Sequence, residues 1–107
     1  MESNFVKIIT YVPETHSAIV REAMGDVGAG KIGNYSFCSF TSKGTGRFIP
    51  LDGAKPFLGE IGKIEEVAEE KIEVICSKEI IAQVIDAIKK SHPYEEPAYE
   101  IIPMLKI

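Results

Sequence analysis

Glu69-Glu70-Lys71-Ile72-Glu73-Val74-Ile75-Cys76 runs directly into Ser77-Lys78-Glu79-Ile80-Ile81-Ala82-Gln83-Val84-Ile85-Asp86-Ala87-Ile88-Lys89-Lys90-Ser91, and the change of period between them decides the fold. In residues 69–76 Ile72, Val74 and Cys76 alternate onto one face, the pattern of a strand. From residue 77 the apolar positions become Ile80, Ile81, Val84, Ile85 and Ile88, one stripe of an amphipathic helix with Ser77 as its N-cap. His92-Pro93 marks the stop, because the residue before a proline is pushed out of helical geometry. Residues 98–107 then read as a last strand, and Pro103, which cannot donate to a ladder, places it at a sheet edge.

Working outward, residues 4–12 (Asn-Phe-Val-Lys-Ile-Ile-Thr-Tyr-Val) form a strand with Val6, Ile8 and Val12 on one side and Phe5, Ile9 and Tyr11 on the other. Two apolar faces make it central. Pro13 ends it, and a helix opening at Glu14 or Thr15 carries Ile19, Val20, Ala23, Met24 and Val27 before Gly28 and Gly30 stop it. Residues 34–41 read as a second strand, Lys43-Gly44-Thr45-Gly46 as a hairpin-like turn, and residues 47–51 as a short return strand. The loop through Gly53, Pro56, Gly59 and Gly62 completes an arm over residues 42–62, too long for a bare connection.

The order is strand, helix, strand, excursion, strand, helix, strand. It predicts an α+β, ferredoxin-like βαββαβ sandwich, one domain over residues 1–107, with a long hairpin arm between strands 2 and 3. If both helices cover one sheet face, Phe5, Ile9, Tyr11 and Ile75 stay open on the other. Such a patch predicts a homo-oligomer, a trimer ahead of a dimer.

Composition narrows function by exclusion. The 107 residues carry a formal net charge of −4, with 12 Lys and Arg against 16 Asp and Glu. Without clustered cations, a nucleic-acid or anionic-membrane binder is not expected. No apolar run approaches the roughly 20 residues of a membrane span, and Met1-Glu2-Ser3-Asn4 does not resemble an export signal. Cys38 and Cys76 form no Cys-x-x-Cys pair and read as reduced, buried thiols of a cytoplasmic protein.

The topology predicts that His16, residues 92–96 and the arm share one end of the sheet, with residues 28–34 at the other. Gly28-x-Gly30-x-x-Gly33 matches the dinucleotide fingerprint in letters, but it follows a helix and opens a strand, the reverse of what that site needs. Gly25-x-x-x-x-Gly30-Lys31 imitates a P-loop with Ile32 where Ser or Thr must hold Mg²⁺. A backbone nest for an anion, including Gly30 and Asn34, is the remaining reading there. His92 is either a helix-terminal histidine stabilised by the dipole or, with His16 and Glu95, a ligand of a divalent metal. Glu65-Glu66 and Glu69-Glu70 read as a solvated face, and no Ser-His-Asp order or Gly-x-Ser-x-Gly elbow is present.

Residues 28–40 (Gly-Ala-Gly-Lys-Ile-Gly-Asn-Tyr-Ser-Phe-Cys-Ser-Phe), Gly44-Thr45-Gly46-Arg47-Phe48-Ile49-Pro50, Pro56-x-x-Gly59, Glu69-Glu70-Lys71-Ile72-Glu73 and His92-Pro93-Tyr94-Glu95-Glu96-Pro97-Ala98-Tyr99 together resemble one family. It is the insert domain of the NIF-three-like proteins, the YqfO group, labelled type 2 GTP cyclohydrolase I. The resemblance implies a ferredoxin-like fold akin to the PII signalling proteins and CutA, packed as trimers through its sheets. Lys71 departs from the arginine usual in that family, which would weaken a bidentate contact. The family's two-metal centre lies in flanking domains, so a stand-alone homologue is expected to lack that chemistry.

The expected function is a non-catalytic oligomeric module binding a small ligand or protein partner, with His16, Arg47, His92, Tyr94, Glu95, Glu96, Gly30 and Asn34 as candidate contacts. The alternatives are a CutA-like divalent-metal binder using His16, His92 and Glu95, or a hydrolase with an intersubunit site in which Glu95 or Glu96 is the general base.

Overall fold

A computed structural model describes residues 1–105 of the chain. Strand β1 (Glu2–Pro13) leads through a 3-10 turn (Glu14–His16) into helix α1 (Ser17–Asp26). Strands β2 (Phe40–Phe48) and β3 (Glu65–Ser77) follow, then a 3-10 turn (Lys78–Ile80), helix α2 (Ile81–Ser91) and strand β4 (Tyr99–Leu105). The sheet order is β2-β3-β1-β4 with every pair antiparallel, the ferredoxin-like arrangement. Residues 106 and 107, which the sequence assigns to the last strand, lie outside the described residues. Among the described residues no helix is long and apolar enough to cross a membrane.

The core lies between the helices and one sheet face. Val6 stands opposite Cys76, Ile8 opposite Val74 and Thr10 opposite Ile72, all buried. Val20 and Met24 of α1 and Val84 and Ile88 of α2 close over them without measurable exposure. Each such side chain stabilises the fold by about 1.5–3 kcal/mol relative to an exposed one. Thr10, the polar member of this layer, donates its hydroxyl to the Ala98 carbonyl at 2.8 Å. Ser77 does act as a cap, its Oγ accepting from the Glu79 N–H at 3.3 Å, but of the 3-10 turn that precedes α2. Pro103 sits on an edge strand, as its missing donor requires.

Four expectations need correction. Residues 34–39 are not a strand: Phe37 adopts φ 58° and lays its ring over Gly25, where any side chain would collide with it. Lys43-Gly44-Thr45-Gly46 is not a turn but the middle of β2, paired with residues 67–70 of β3. The return strand over 47–51 is absent too: Arg47 and Phe48 end β2, and the excursion is the loop of residues 49–64. Ile19, assigned to the core stripe of α1, is 53% exposed.

The open face is also less bare than expected. Phe5 is exposed, Tyr11 and Ile75 are half-buried, but Ile9 is buried. Its cross-strand neighbours are Glu73 and Glu100, and these are drawn across it by Lys7 (3.4 Å to Glu73) and the Tyr11 hydroxyl (2.5 Å to Glu100). Phe40 and Ile102 join Phe5 as exposed apolar side chains.

The hairpin geometry builds the site. β1 stops pairing with β3 at Pro13–Glu69, whereas β2 and β3 continue pairing to Phe48–Glu65. The ribbon of residues 45–48 and 65–68 therefore overhangs the sheet. The loop of residues 49–64 is joined at its base, where the Gly62 N–H donates to the Pro50 carbonyl at 2.8 Å.

Candidate functional site, a cleft under the hairpin overhang

Pro93 ends α2 by removing a donor and forcing His92 into an extended conformation, φ −74° and ψ 135°. The His92 N–H still closes the helix on the Ile88 carbonyl at 2.8 Å. Its side chain then turns inward, where it is 6% exposed. Nε2 lies 2.7 Å from the Tyr11 carbonyl, just beyond the last β1–β4 pair, Thr10 with Tyr99. A carbonyl only accepts, so Nε2 carries the proton. Nδ1 in turn accepts the Tyr94 N–H at 3.1 Å. His92 is thus a neutral strut between β1 and the following turn. Burial pushes its pKa below the usual 6.5, helped by His16 and opposed by the Tyr11 bond and Glu69.

The strut positions Tyr94. Its ring lies 4.9 Å from His92 and 5.6 Å from Phe48 of the overhang, the latter edge to face. Phe57 of the loop stands 6.5 Å from the Tyr94 ring and takes His16 edge-on at 5.4 Å. The Tyr94 hydroxyl donates to Glu69 Oε2 at 2.7 Å. Burial first, then this bond and the Glu69 charge, push the phenol well above its ordinary range. Gly46 makes the arrangement possible, because a Cβ there would overlap the Glu69 carboxylate. Glu95 accepts the Lys55 N–H at 3.0 Å, pinning the loop to the turn.

Between loop, overhang and turn lies a cleft of about 390 Å³. Phe48, Pro50, Pro56, Phe57, Leu58 and Tyr94 supply apolar walls, and Glu69, Glu95, Glu96 and Arg47 the charges. Arg47 Nε already donates to Glu66 at 2.7 Å.

Of the residues expected from sequence, Arg47, Tyr94, Glu95 and Glu96 line the cleft, His92 braces it from below and His16 flanks it through Phe57. Gly30 and Asn34 are not part of it. Gly30, at φ 82°, donates to the Ile75 carbonyl and packs on the Cys38 backbone, toward the far end of β3. Asn34 is exposed inside the Ile32–Tyr35 bridge. The metal set His16, His92 and Glu95 is not assembled: both His92 ring nitrogens are engaged, His16 Nδ1 lies 2.8 Å from Thr15 Oγ1, and Glu95 holds Lys55. Among the described residues no three His, Cys, Asp or Glu side chains gather at ligand spacing.

Sequence reasoning missed Glu69 and Gly46. Read with Glu70 as a solvated pair, Glu69 faces Tyr94, while Glu70 takes the Ser17 hydroxyl and lies 3.6 Å from Arg21 on the helix side. Adjacent positions of a strand point to opposite faces, which was the available signal.

No protein-family model matches the chain. A curated protein of Halalkalibacterium halodurans described as "GTP cyclohydrolase 1 type 2 homolog" is 53% identical over 98 residues, 92% of this chain and 26% of that protein. The crystal structure of a Bacillus cereus protein related to NIF3 superposes with a TM-score of 0.82 at 43% identity, covering 97% of this chain and 26% of that one. The divalent cation tolerance protein CutA of Archaeoglobus fulgidus shares the fold at TM-score 0.68 and 20% identity, over 96% and 86% of the two chains. The chain spans about a quarter of the length of the curated relatives it matches. It is a homologue of the CutA-like segment of the NIF3-related, GTP cyclohydrolase 1 type 2 homolog proteins.

Proposed function

We propose that residues 1–107 form one non-catalytic, oligomeric module that binds a small ligand in the cleft under the hairpin overhang. The cleft itself carries the reading: about 390 Å³ of concave space, apolar walls and a few fixed polar groups are what small-ligand sites share. The His92 strut and the Lys55–Glu95 bond fix its walls through contacts within the chain, so little ordering cost falls on binding.

A thermal-shift screen against nucleotides, divalent metals and common metabolites tests this. A compound at 100 times its Kd stabilises the folded state by about 2.7 kcal/mol, enough to read as a rise in Tm. The expected result is a hit whose shift disappears in Phe57→Ala. A shift that survives in that variant would remove the cleft from the account. The divalent-metal alternative requires His92 to release the Tyr94 N–H or Tyr11 carbonyl. Metal analysis of the purified protein and of His16→Ala and His92→Ala decides it.

Self-association through the open face is supported by Phe5, Phe40 and Ile102, which stand exposed there around the Lys7–Glu73 pair. The resemblance to PII and CutA supports a trimer ahead of a dimer. Sedimentation at micromolar concentration should give an oligomer that dissociates in Ile102→Lys, which sets a like charge opposite Lys7. A monomeric wild-type profile refutes this part. The free thiols Cys38 and Cys76 support a reducing, cytoplasmic setting.

A further inference from the structure

We infer that the cleft takes a small organic cation, an ammonium group carried on an apolar body. The inference rests on the cleft being the ligand site and names the class of ligand. Three carboxylates, Glu69, Glu95 and Glu96, line it against one guanidinium, Arg47, and Glu66 already pairs with that guanidinium at 2.7 Å. An anionic ligand would need free donors. Arg47 Nε is already given to Glu66, and the Lys55 backbone N–H to Glu95. A phosphate or carboxylate would therefore face three carboxylates against one guanidinium whose charge Glu66 already pairs.

A cation meets the opposite situation. Tyr94 occupies only Oε2 of Glu69, and Gly46 leaves that carboxylate room to lie across the strand, so a charge-assisted acceptor is fixed beside the aromatic wall. Phe48 and Phe57 flank Tyr94 at centroid distances of 5.6 and 6.5 Å. The face of an aromatic ring carries negative potential that attracts an ammonium, the physics of cation–π recognition, and all three rings line this cleft. Pro50, Pro56 and Leu58 cover the apolar remainder of such a molecule. Charge and wall chemistry point to the same occupant.

Isothermal titration calorimetry at neutral pH with three shape-matched probes tests the inference: phenethylammonium, 2-phenylethanol and 3-phenylpropionate. The ammonium is expected to bind at least about ten-fold more tightly than the alcohol, and the carboxylate more weakly than either. Glu69→Gln should lower ammonium affinity about ten-fold and leave the alcohol unchanged. Glu95→Gln and Glu96→Gln, at exposed positions, repeat the test without touching Tyr94. Alcohol or carboxylate binding as tight as the ammonium overturns the cation class while the cleft stands as a site. If no probe binds, the cation class falls as well, and the cleft is then decided by the thermal-shift screen alone.

Discussion

Replacing His92 with alanine removes a strut that joins β1 to the turn after α2, and its cost can be worked from the two bonds it makes. The Tyr11 carbonyl loses a 2.7 Å donor and the Tyr94 N–H a 3.1 Å acceptor, at a side chain only 6% exposed. Leaving a buried polar group unpaired costs about 1–3 kcal/mol, so with some rehydration of the turn the loss should be about 2–4 kcal/mol. The pH dependence gives a sharper signature. The folded pKa of His92 is lowered from 6.5, so below that value the unfolded chain binds more protons than the native one. The stability held by neutral His92 is complete above pH 6.5 and is lost as the pH falls through the depressed folded value. Urea denaturation of wild type and His92→Ala from pH 8 to 5 isolates this, since other titrating groups largely cancel in the difference. The gap between the two proteins should be widest at pH 8 and narrow toward pH 5. A gap under about 0.5 kcal/mol at pH 8, or one that is constant with pH, would refute the strut.

Gly46→Ala places a methyl where the Glu69 carboxylate lies, and that flexible side chain must swing away from Tyr94. Urea denaturation should show a loss of only about 0.5–1.5 kcal/mol, the worth of one hydrogen bond, while any cleft ligand loses affinity. Gly30→Ala is harsher, because φ 82° strains an L-residue and the new Cβ meets the Cys38 backbone rather than a mobile side chain. Its denaturation midpoint should fall by the equivalent of at least about 2 kcal/mol, and a neutral result would contradict the packing described at that end.

How much the chain discloses by itself depends on whether a segment's own pattern or a distant partner decides its structure. β3 and α2 were legible because Ile72, Val74 and Cys76, then Val84 and Ile88, each obey one period and are buried accordingly. β2 was not. Gly44 and Gly46 carry turn chemistry, yet pairing with β3 holds them extended, and Gly46 serves a carboxylate on the neighbouring strand. The run of residues 34–40 has strand composition, but the seat of Phe37 over Gly25 bends it out of the sheet. The candidate site divides in the same way. His92 and Tyr94 stand out beside Pro93, and the arm was marked by its length. Alternation separates Glu69 from Glu70, but the role of Glu69 comes from Tyr94, which arrives later in the chain and meets it only through the fold.

The claim on which the account turns is that the overhang, the loop and the turn after α2 form one binding cleft. Amide chemical-shift mapping of ¹⁵N-labelled protein titrated with phenethylammonium tests it most directly. Saturable shifts confined to Gly46, Arg47, Phe57, Glu69, Tyr94, Glu95 and their neighbours are the expected outcome. Shifts centred instead on residues 28–34 or on the open sheet face would contradict it, whereas none at millimolar probe would remove the cation and leave the cleft to the thermal-shift screen.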